Sequence, residues 1–124
     1  MTRPPAPPTP MRWFGWGDDA AATPLRPEVL ALLEAGLGVQ PRDARPVAPA
    51  DVRVPACVLP AAAREALVGD VGREHVLQDD RSRVLHTRGK STPDLLRLRS
   101  GEASDAPDAV VLPADGDEVL AVLR

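Results

Sequence analysis

The two histidines are the first residues to examine for chemistry, because imidazole is the commonest metal ligand and general base in proteins. His75 and His86 are eleven residues apart. A metal site on one helix needs two ligands one turn apart and a further carboxylate or thiolate, and the neighbouring sequence supplies no such set. We therefore predict solvated or packing histidines, with no metal site and no catalytic residue in this chain.

The thiol is the second candidate. Cys57 is the only cysteine, which excludes an internal disulfide and a zinc site built from several thiolates. Its neighbours, Val-Pro-Ala before it and Val-Leu after it, are apolar, whereas reactive thiols lie beside cationic groups or at helix N-termini. We expect Cys57 to be a small packing residue.

Basic side chains are concentrated in residues 81–99. Asp94 within the run and Asp79, Asp80 and Glu102 beside it dilute this charge. No aromatic side chain is available there to stack on a base, which argues against a nucleic-acid interface. Two interpretations remain open: a solvated face with local ion pairs, or a strip that faces an anion such as a phosphorylated substrate of a larger enzyme. The six cations are Arg81, Arg83, Arg88, Lys90, Arg97 and Arg99.

The elements that position these residues must fit into one small domain, because the chain has 124 residues. No apolar run approaches the ~20 residues of a membrane-spanning helix, and the N-terminus lacks the apolar segment of a secretion signal, so we expect a cytoplasmic location. The formal charge of −3 gives no general attraction to nucleic acid or anionic lipid. With two Trp, one Phe and no Tyr, the core must be aliphatic.

Proline positions divide the N-terminal half of the chain. Residues 1–10 contain five prolines and are predicted to be a disordered tail. A helix is expected from Pro27 to Gly38, because apolar residues recur there at helical spacing. Prolines recur so often in residues 41–60 that neither a helix nor a central strand can persist, which predicts an extended segment.

The central part predicts three short segments. A helix is expected over residues 61–68, closed by the glycine that follows. Asp79 or Asp80 caps a further helix that runs to Gly89. Residues 95–98 form another apolar segment, for which helix and strand both remain open.

The last sixteen residues, 109–124, give the clearest pattern. Residues 109–113 indicate a buried strand, and Asp115 is the predicted N-cap of the next helix, with Glu118 at the capping-box position. A strand and a helix in this order normally lead to a second, parallel strand. No such strand follows, so we predict a fragment cut inside a β-α-β unit, whose strand lacks a neighbour. The apolar face of the helix consists of Val119, Leu120, Val122 and Leu123.

Four segments carry recognisable motifs: Met11-Arg-Trp-Phe-Gly-Trp-Gly-Asp18, Asp80-Arg-Ser-Arg-Val-Leu-His-Thr-Arg-Gly89, Leu96-Arg-Leu-Arg-Ser-Gly101 and Ala106-Pro-Asp-Ala-Val-Val-Leu-Pro113. In this order they resemble the N-terminal part of the alkyldihydroxyacetonephosphate synthase family. That family belongs to the flavoproteins with the vanillyl-alcohol-oxidase type of FAD-binding fold. The resemblance extends over about residues 11–124, and the aromatic start and the Pro-Asp-x-Val-x-x-Pro end are its more specific parts.

The resemblance implies an α+β fold class. A helical N-terminal lead-in is followed by the first strand and helix of a PCMH-type FAD-binding α+β domain, truncated before the glycine-rich loop that holds the FAD pyrophosphate. The implied boundaries are a disordered tail and aromatic anchor over 1–24, a helical and extended lead-in over 25–78, and the start of the FAD-binding domain over 79–124. Pro113, in the loop after the strand, is the one position that the resemblance places near the bound cofactor.

The resemblance also implies FAD as the cofactor of the complete protein. That protein would either exchange an acyl group for an alkyl group in ether-lipid formation or oxidise a hydroxy acid or alcohol. Its catalytic residues lie beyond this chain, which would be inactive alone. The implied partners are the remainder of the flavoenzyme and a small substrate: an alcohol, a hydroxy acid or an acyl-glycerone phosphate.

A different class of function stays open. A free-standing helical interaction module without catalysis would bind a protein partner through Val119, Leu123 and the aromatic residues. Under the flavoenzyme interpretation, the same aromatic residues are expected to anchor the chain against the missing domains, because indole rings bury large apolar areas. These residues are Trp13, Phe14 and Trp16.

Overall fold

The structure is a computed structural model that describes residues 12–38 and 46–124. The tail predicted over 1–10 and the start of the extended segment predicted from residue 41 lie outside the described residues. The described part contains five α-helices and one two-stranded sheet, which agrees with the predicted α+β class. None of its helices has the length and apolar character needed to cross a membrane.

Helix α1 spans Pro27–Leu37, as predicted. Proline fits the first turn because its missing N–H has no intrahelical partner there. Gly38 ends the helix with φ of 62° and donates its N–H to the Glu34 carbonyl at 2.9 Å. No side chain of α1 is buried, and Leu32 remains 71% exposed.

Helix α2 spans Ala61–Val71 and is longer than predicted. Gly69 does not stop it, because glycine inside a helix is only mildly unfavourable. The helix ends at Gly72, whose φ of 88° leaves the right-handed region and whose N–H bonds to the Val68 carbonyl at 2.9 Å.

Helix α3 spans Asp80–Leu85. The Asp79 carboxylate caps it by accepting the N–H of Ser82 at 2.9 Å. The predicted extension to Gly89 is wrong, because the backbone leaves the helical region at His86, where φ is −112°.

Helix α4 spans Thr92–Arg99 and settles the open assignment of residues 95–98 in favour of a helix. Ser91 caps it through its hydroxyl oxygen, which accepts the N–H of Asp94. Leu95 and Leu98 are buried one turn apart, while Leu96 is exposed. Burial on one side of the segment is typical of a helix. The spacing of the three leucines alone was too short to distinguish a helix from a strand.

The sheet pairs β1, Val76–Leu77, with β2, Val110–Val111, in antiparallel register. The prediction that the strand at 109–113 has no neighbour in this chain is therefore wrong for one of its edges. A two-residue strand such as β1 carries too little alternation to be recognised in sequence. Helix α5, Gly116–Val122, follows β2 and packs against α2.

The central cluster of the core is small and aliphatic. Val84 of α3, Leu98 of α4 and Ala103, which is fully buried, form this cluster. Partly buried residues from distant segments pack against it, and they are Trp13, Val52 and Val54. The aromatic start and the proline-rich segment therefore both lie on this core.

The proline-rich segment is fixed by backbone pairing with the turn after α4. The N–H of Val47 bonds to the Arg99 carbonyl at 3.1 Å, and that of Arg53 bonds to the Gly101 carbonyl at 2.9 Å. Gly101 has φ of +81°, and a Cβ there would lie 3.1 Å from the Asp51 carbonyl oxygen. Glycine is needed at this position for both conformation and space.

Candidate functional site

The turn between β2 and α5 is the site that the sequence singled out. The Asp115 carboxylate accepts the N–H groups of Asp117 and Glu118, each at 3.0 Å. The Glu118 carboxylate accepts the N–H of Ala114 at 2.7 Å. The predicted N-cap is confirmed. Glu118 makes its reciprocal bond with the N–H of Ala114, one residue before the cap, and not with the N–H of Asp115 as in a standard capping box.

This turn does not itself form a pyrophosphate site. Its first helical amides already bond to Asp115, and Asp117 and Glu118 add negative charge where a phosphate would approach. Pro113 is exposed and has no N–H to donate. The position of Pro113 near a cofactor therefore stays a prediction.

One edge of β2 is open. The N–H of Leu112 bonds to the His75 carbonyl at 2.9 Å, so Val110 and Leu112 direct their backbone groups toward β1. Because backbone groups alternate along a strand, the N–H and carbonyl of Val111 point away from β1. No further strand lies on that side in residues 12–38 and 46–124.

Helix α5, which follows β2, leaves apolar side chains uncovered. Val119 is 40% exposed and Leu123 is 77% exposed. Leu120 and Leu112 are also exposed. The predicted apolar face of α5 therefore exists as a surface, although α5 also packs on α2.

The six cations of residues 81–99 do not form one solvated face. Arg83 is only 3% exposed and donates from Nε to the Pro107 carbonyl at 2.7 Å. It also donates from Nη2 to the Pro55 carbonyl at 2.8 Å and lies 3.5 Å from Asp80. Arg83 therefore joins α3 to two other segments, a role that its position in a basic run did not indicate.

Arg88 is a second cation of this run with little exposure, since 9% of its side chain is accessible to solvent. Its Nη2 lies 2.8 Å from Glu102 and 2.6 Å from Asp105, and its Nη1 donates to the Glu102 carbonyl. The hydrogen bond from Arg88 lowers the pKa of Glu102. Burial opposes the charge on Arg88, but the bonds to the two carboxylates raise its pKa overall. These ion pairs join Arg88 to carboxylates 14 and 17 positions further along the chain. Ion pairs were expected under one of the two interpretations, but the solvated face of that interpretation does not hold for Arg88.

The aromatic segment, residues 12–17, is held by Lys90. The Lys90 ammonium donates to the carbonyls of Arg12 and Gly15, and the Trp16 indole donates to the Lys90 carbonyl at 2.9 Å. Burial lowers the pKa of Lys90, which is the only lysine in the chain. Trp13 packs on the core of this chain, so its burial needs no other domain, whereas Trp16 is 61% exposed.

Among the described residues, no group of three or more His, Cys, Asp or Glu side chains could hold a metal ion. His75 lies 3.9 Å from Glu74, and His86 lies on a different element and faces the Ser82 carbonyl. Cys57 is exposed, so its prediction as a packing residue is wrong. Its Sγ lies 3.4 Å from the Asp108 carbonyl, which brings the thiol to the surface beside the segment before β2.

A cavity of about 360 Å³ lies between the aromatic segment and α3. We call it the aromatic cavity. Residues from three separate stretches of the chain line it, which is why no local motif predicted it. They are Arg12, Trp13, Phe14, Pro49, Ala50, Val52, Val54, Asp80, Arg81, Val84 and Leu85.

No family model matches the chain. It is 45% identical over 104 residues to Protein Rv2250A of Mycobacterium tuberculosis (strain ATCC 25618 / H37Rv), covering 84% of this chain and 70% of that protein. A 44-residue part, 35% of this chain, is 50% identical to alkyldihydroxyacetonephosphate synthase of Dictyostelium discoideum, of which it covers 7%.

Solved structures of alkyldihydroxyacetonephosphate synthase share the fold. A structure in space group P1 matches 91% of this chain with a TM-score of 0.79 and 23% identity. One in P212121 matches the same share with a TM-score of 0.76 and 23% identity. The chain spans about a quarter of each synthase chain. The resemblance predicted from the four motifs is confirmed by this fold and by the 44-residue match.

Proposed function

The chain belongs to the same family as Protein Rv2250A of Mycobacterium tuberculosis, and on that premise and its synthase-like fold we propose that it forms the opening part of an FAD-dependent enzyme resembling alkyldihydroxyacetonephosphate synthase. In this proposal, β2 and α5 are the first strand and helix of a PCMH-type FAD-binding domain. The complete enzyme would carry out acyl/alkyl exchange on a glycerone phosphate or oxidise a hydroxy acid or alcohol.

The observation that carries the proposal is the open edge of β2 beside the uncovered face of α5. The backbone of Val111 offers one N–H and one carbonyl to an extended strand. Leu120 and Leu123, in the helix segment after β2, offer exposed apolar side chains. A strand with the helix that covers it therefore fits this corner, and the remainder of a flavin-binding domain has that form.

In this proposal, this chain and the remainder of the enzyme contribute different parts of the FAD site. FAD, when bound, supplies the electron-accepting isoalloxazine ring. The acidic start of α5 does not suit a pyrophosphate, so the phosphates belong to the remainder of the enzyme. This chain contributes the fixed corner around Pro113, which the Asp115 cap and the β1–β2 pair hold in place. Its own side chains take no catalytic step.

A chimaera tests the proposal. The quarter of a solved alkyldihydroxyacetonephosphate synthase chain that matches this chain in fold is replaced by this chain. FAD retention after gel filtration is then measured from the flavin absorbance. We expect near-stoichiometric FAD in the chimaera and a loss of most of it in the variant Leu120→Asp with Leu123→Asp. Leu32→Asp in α1 is the matched control, because Leu32 is as exposed as Leu123 but lies on a different helix.

Two results would contradict the proposal. A chimaera that elutes as a folded monomer without flavin would show that this chain cannot replace the opening part of the domain. Equal flavin retention in the α5 variant and the α1 control would show that the α5 face is not the docking surface. Circular dichroism of each variant separates these results from simple unfolding.

The interaction module is the second candidate, and the independent core favours it. Val84, Leu98 and Ala103 pack together without any other domain. If the chain acts as such a module, the 124 residues alone should unfold in one cooperative thermal transition. They should also bind a protein partner through Val119 and Leu123 in the absence of flavin.

A further inference from the structure

We infer that the aromatic cavity binds a small, neutral aromatic molecule whose one polar group both donates and accepts hydrogen bonds. No residue of β2 or α5 lines this cavity, and the inference does not depend on the flavoenzyme proposal. It is supported by the volume of the cavity, by its apolar and aromatic lining, and by the opposite charges that are paired at its opening.

The size and rigidity of the cavity suit a small organic ligand. Its volume of about 360 Å³ lies within the range of small-molecule pockets, roughly 300–1,000 Å³. Four of its apolar lining side chains belong to the central cluster of the core or pack against it, and they are Trp13, Val52, Val54 and Val84. Because the core already fixes these side chains, little ordering is required when a ligand binds.

The aromatic side chains of the wall favour a ligand with a ring. Trp13 and Phe14 lie edge to face, with ring centroids 5.4 Å apart and ring planes at 79°. Arg12 and Arg99 already lie over the Phe14 ring, at 5.6 Å and 5.9 Å from its centroid. We therefore expect the ligand to contact Trp13, because contacts between aromatic rings add attraction beyond that of apolar burial.

The charges at the opening cancel, which favours a neutral ligand. Asp79 and Asp80 stand against Arg81 and Arg83 at the start of α3. Asp80 lies 3.5 Å from Arg83. Arg12 also lines the cavity, but it is engaged in an interaction of its own. A charged ligand would lose hydration at this opening without meeting an excess of the opposite charge.

Asp80 and Arg81 determine which polar group suits the opening. Both residues line the cavity and are exposed, so the cavity reaches solvent there. The Asp80 carboxylate only accepts hydrogen bonds, and the Arg81 guanidinium only donates them. A primary amide has both a donor and an acceptor and complements both side chains. A carboxylate would be repelled by Asp80, and an ammonium group would be repelled by Arg81.

The test uses the full chain and three naphthalene probes that differ in charge. Calorimetric titration compares neutral 2-naphthamide with anionic 2-naphthoate and cationic 2-naphthylmethylammonium, while NMR follows the methyl groups of Val52, Val54 and Val84. We expect one 2-naphthamide per chain, bound about threefold more tightly than either charged probe, which is the size of effect that exposed charges produce. The three valines should shift, whereas Leu120 and Leu123 should not.

Two charge variants should change the preference in opposite directions. Asp80→Asn leaves an excess of positive charge at the opening, so 2-naphthoate should gain about threefold in affinity relative to 2-naphthamide. Arg81→Gln leaves an excess of negative charge, so 2-naphthylmethylammonium should gain by a similar factor. Asp70→Asn and Arg73→Gln are the matched controls, because each changes the charge of an exposed residue outside the cavity.

A third variant fills the cavity. Ala50 lines it from an exposed position, where a larger side chain fits without disturbing the core. Ala50→Phe should therefore weaken the binding of all three probes about tenfold or more, because the ring takes up the volume that the naphthalene needs.

The inference is overturned if 2-naphthamide shows no saturable binding, or if a charged probe binds the unaltered chain as tightly as 2-naphthamide does. Binding that Ala50→Phe leaves intact, or methyl shifts confined to Leu120 and Leu123, would place the probes outside the cavity. If the phenylalanine variant does not fold, the methyl shifts of the three valines decide the location, and the two charge variants decide the preference.

Discussion

The guanidinium of Arg83 lies 2.7 Å from the carbonyl oxygen of Pro107, and this bond ties α3 directly to the segment that leads into β2. The same side chain reaches the Pro55 carbonyl at 2.8 Å. One buried cation therefore connects α3 to the proline-rich segment and to the segment before β2, and fixes their relative positions. Charge-assisted bonds to buried carbonyls are among the stronger polar contacts in a small domain.

Replacing this side chain is expected to be costly. Arg83→Met keeps an unbranched apolar stem but leaves two carbonyls without their donor, so the free energy of unfolding should fall by about 2–4 kcal/mol. Urea denaturation measures it. Arg81→Met, on the exposed side of the same helix, should change stability by less than about 0.5 kcal/mol. Equal effects of the two substitutions would contradict the organising role of Arg83.

Two glycine-to-alanine substitutions should change the free energy of unfolding in opposite directions. Gly101→Ala adds a methyl group 3.1 Å from the Asp51 carbonyl oxygen at a residue with φ of +81°, so we expect a loss of about 2 kcal/mol or more. Gly36→Ala lies inside α1 with nothing within 4 Å and should gain about 0.5–1 kcal/mol. Both are measured by thermal unfolding, and a Gly101→Ala variant as stable as the unaltered chain would show that the Gly101 turn is not specially constrained.

Lys90 should control the aromatic segment. Lys90→Met removes the ammonium that the carbonyls of Arg12 and Gly15 share, so the segment should detach in part and expose its indoles. Both tryptophans of the chain lie in this segment. Their fluorescence should therefore shift to longer wavelength and become easier to quench with iodide.

A matched control for Lys90 is Arg97→Met, which removes an exposed cation of the neighbouring helix without touching the aromatic segment. Its tryptophan emission should equal that of the unaltered chain. If the emission of Lys90→Met were also unaltered, the lysine would not be what holds the segment in place.

Stability should fall in acid because of two carboxylates. The N–H of Ser82 lowers the pKa of Asp79, and the hydrogen bond from Arg88 lowers that of Glu102. Groups whose pKa is lowered on folding stabilise the protein above their unfolded values, here 3.8 and 4.5. That contribution is lost as pH falls through the lower folded values.

The acid prediction is checked by urea unfolding at intervals between about pH 6 and pH 2. Glu102→Gln should flatten the fall in stability, because the amide does not titrate. Asp105→Asn, at the second carboxylate beside Arg88, is the comparison variant. A profile of Glu102→Gln that retains the full slope would show that the loss arises elsewhere.

Local rules predicted the helix starts well. Asp79 and Asp115 were recognisable as caps because a short carboxylate before an apolar period has a direct bonding partner in the first turn. Helix ends were predicted less well. Gly69 has the residue type of a stop but lies within α2, while His86 ends α3 without any glycine. Backbone conformation at these positions depends on packing that a single sequence does not display.

Long-range relationships could not be predicted from local pattern. The partner of β2 is a two-residue strand more than thirty positions earlier in the chain, too short to show a period. Nothing in the local sequence distinguishes Arg83 from the other cations of its run. Its two carbonyl partners come from distant parts of the chain. The aromatic cavity likewise forms only when three distant stretches meet. The α+β class was predicted from the resemblance to a family, whereas these individual long-range contacts were not.

The open edge at Val111 also bears on how the chain behaves at high concentration. Unpaired backbone groups beside exposed leucines can pair with any extended segment, including that of a second copy. We therefore expect this chain to be partly insoluble when it is overproduced alone. Co-production of a domain that covers the edge should restore its solubility.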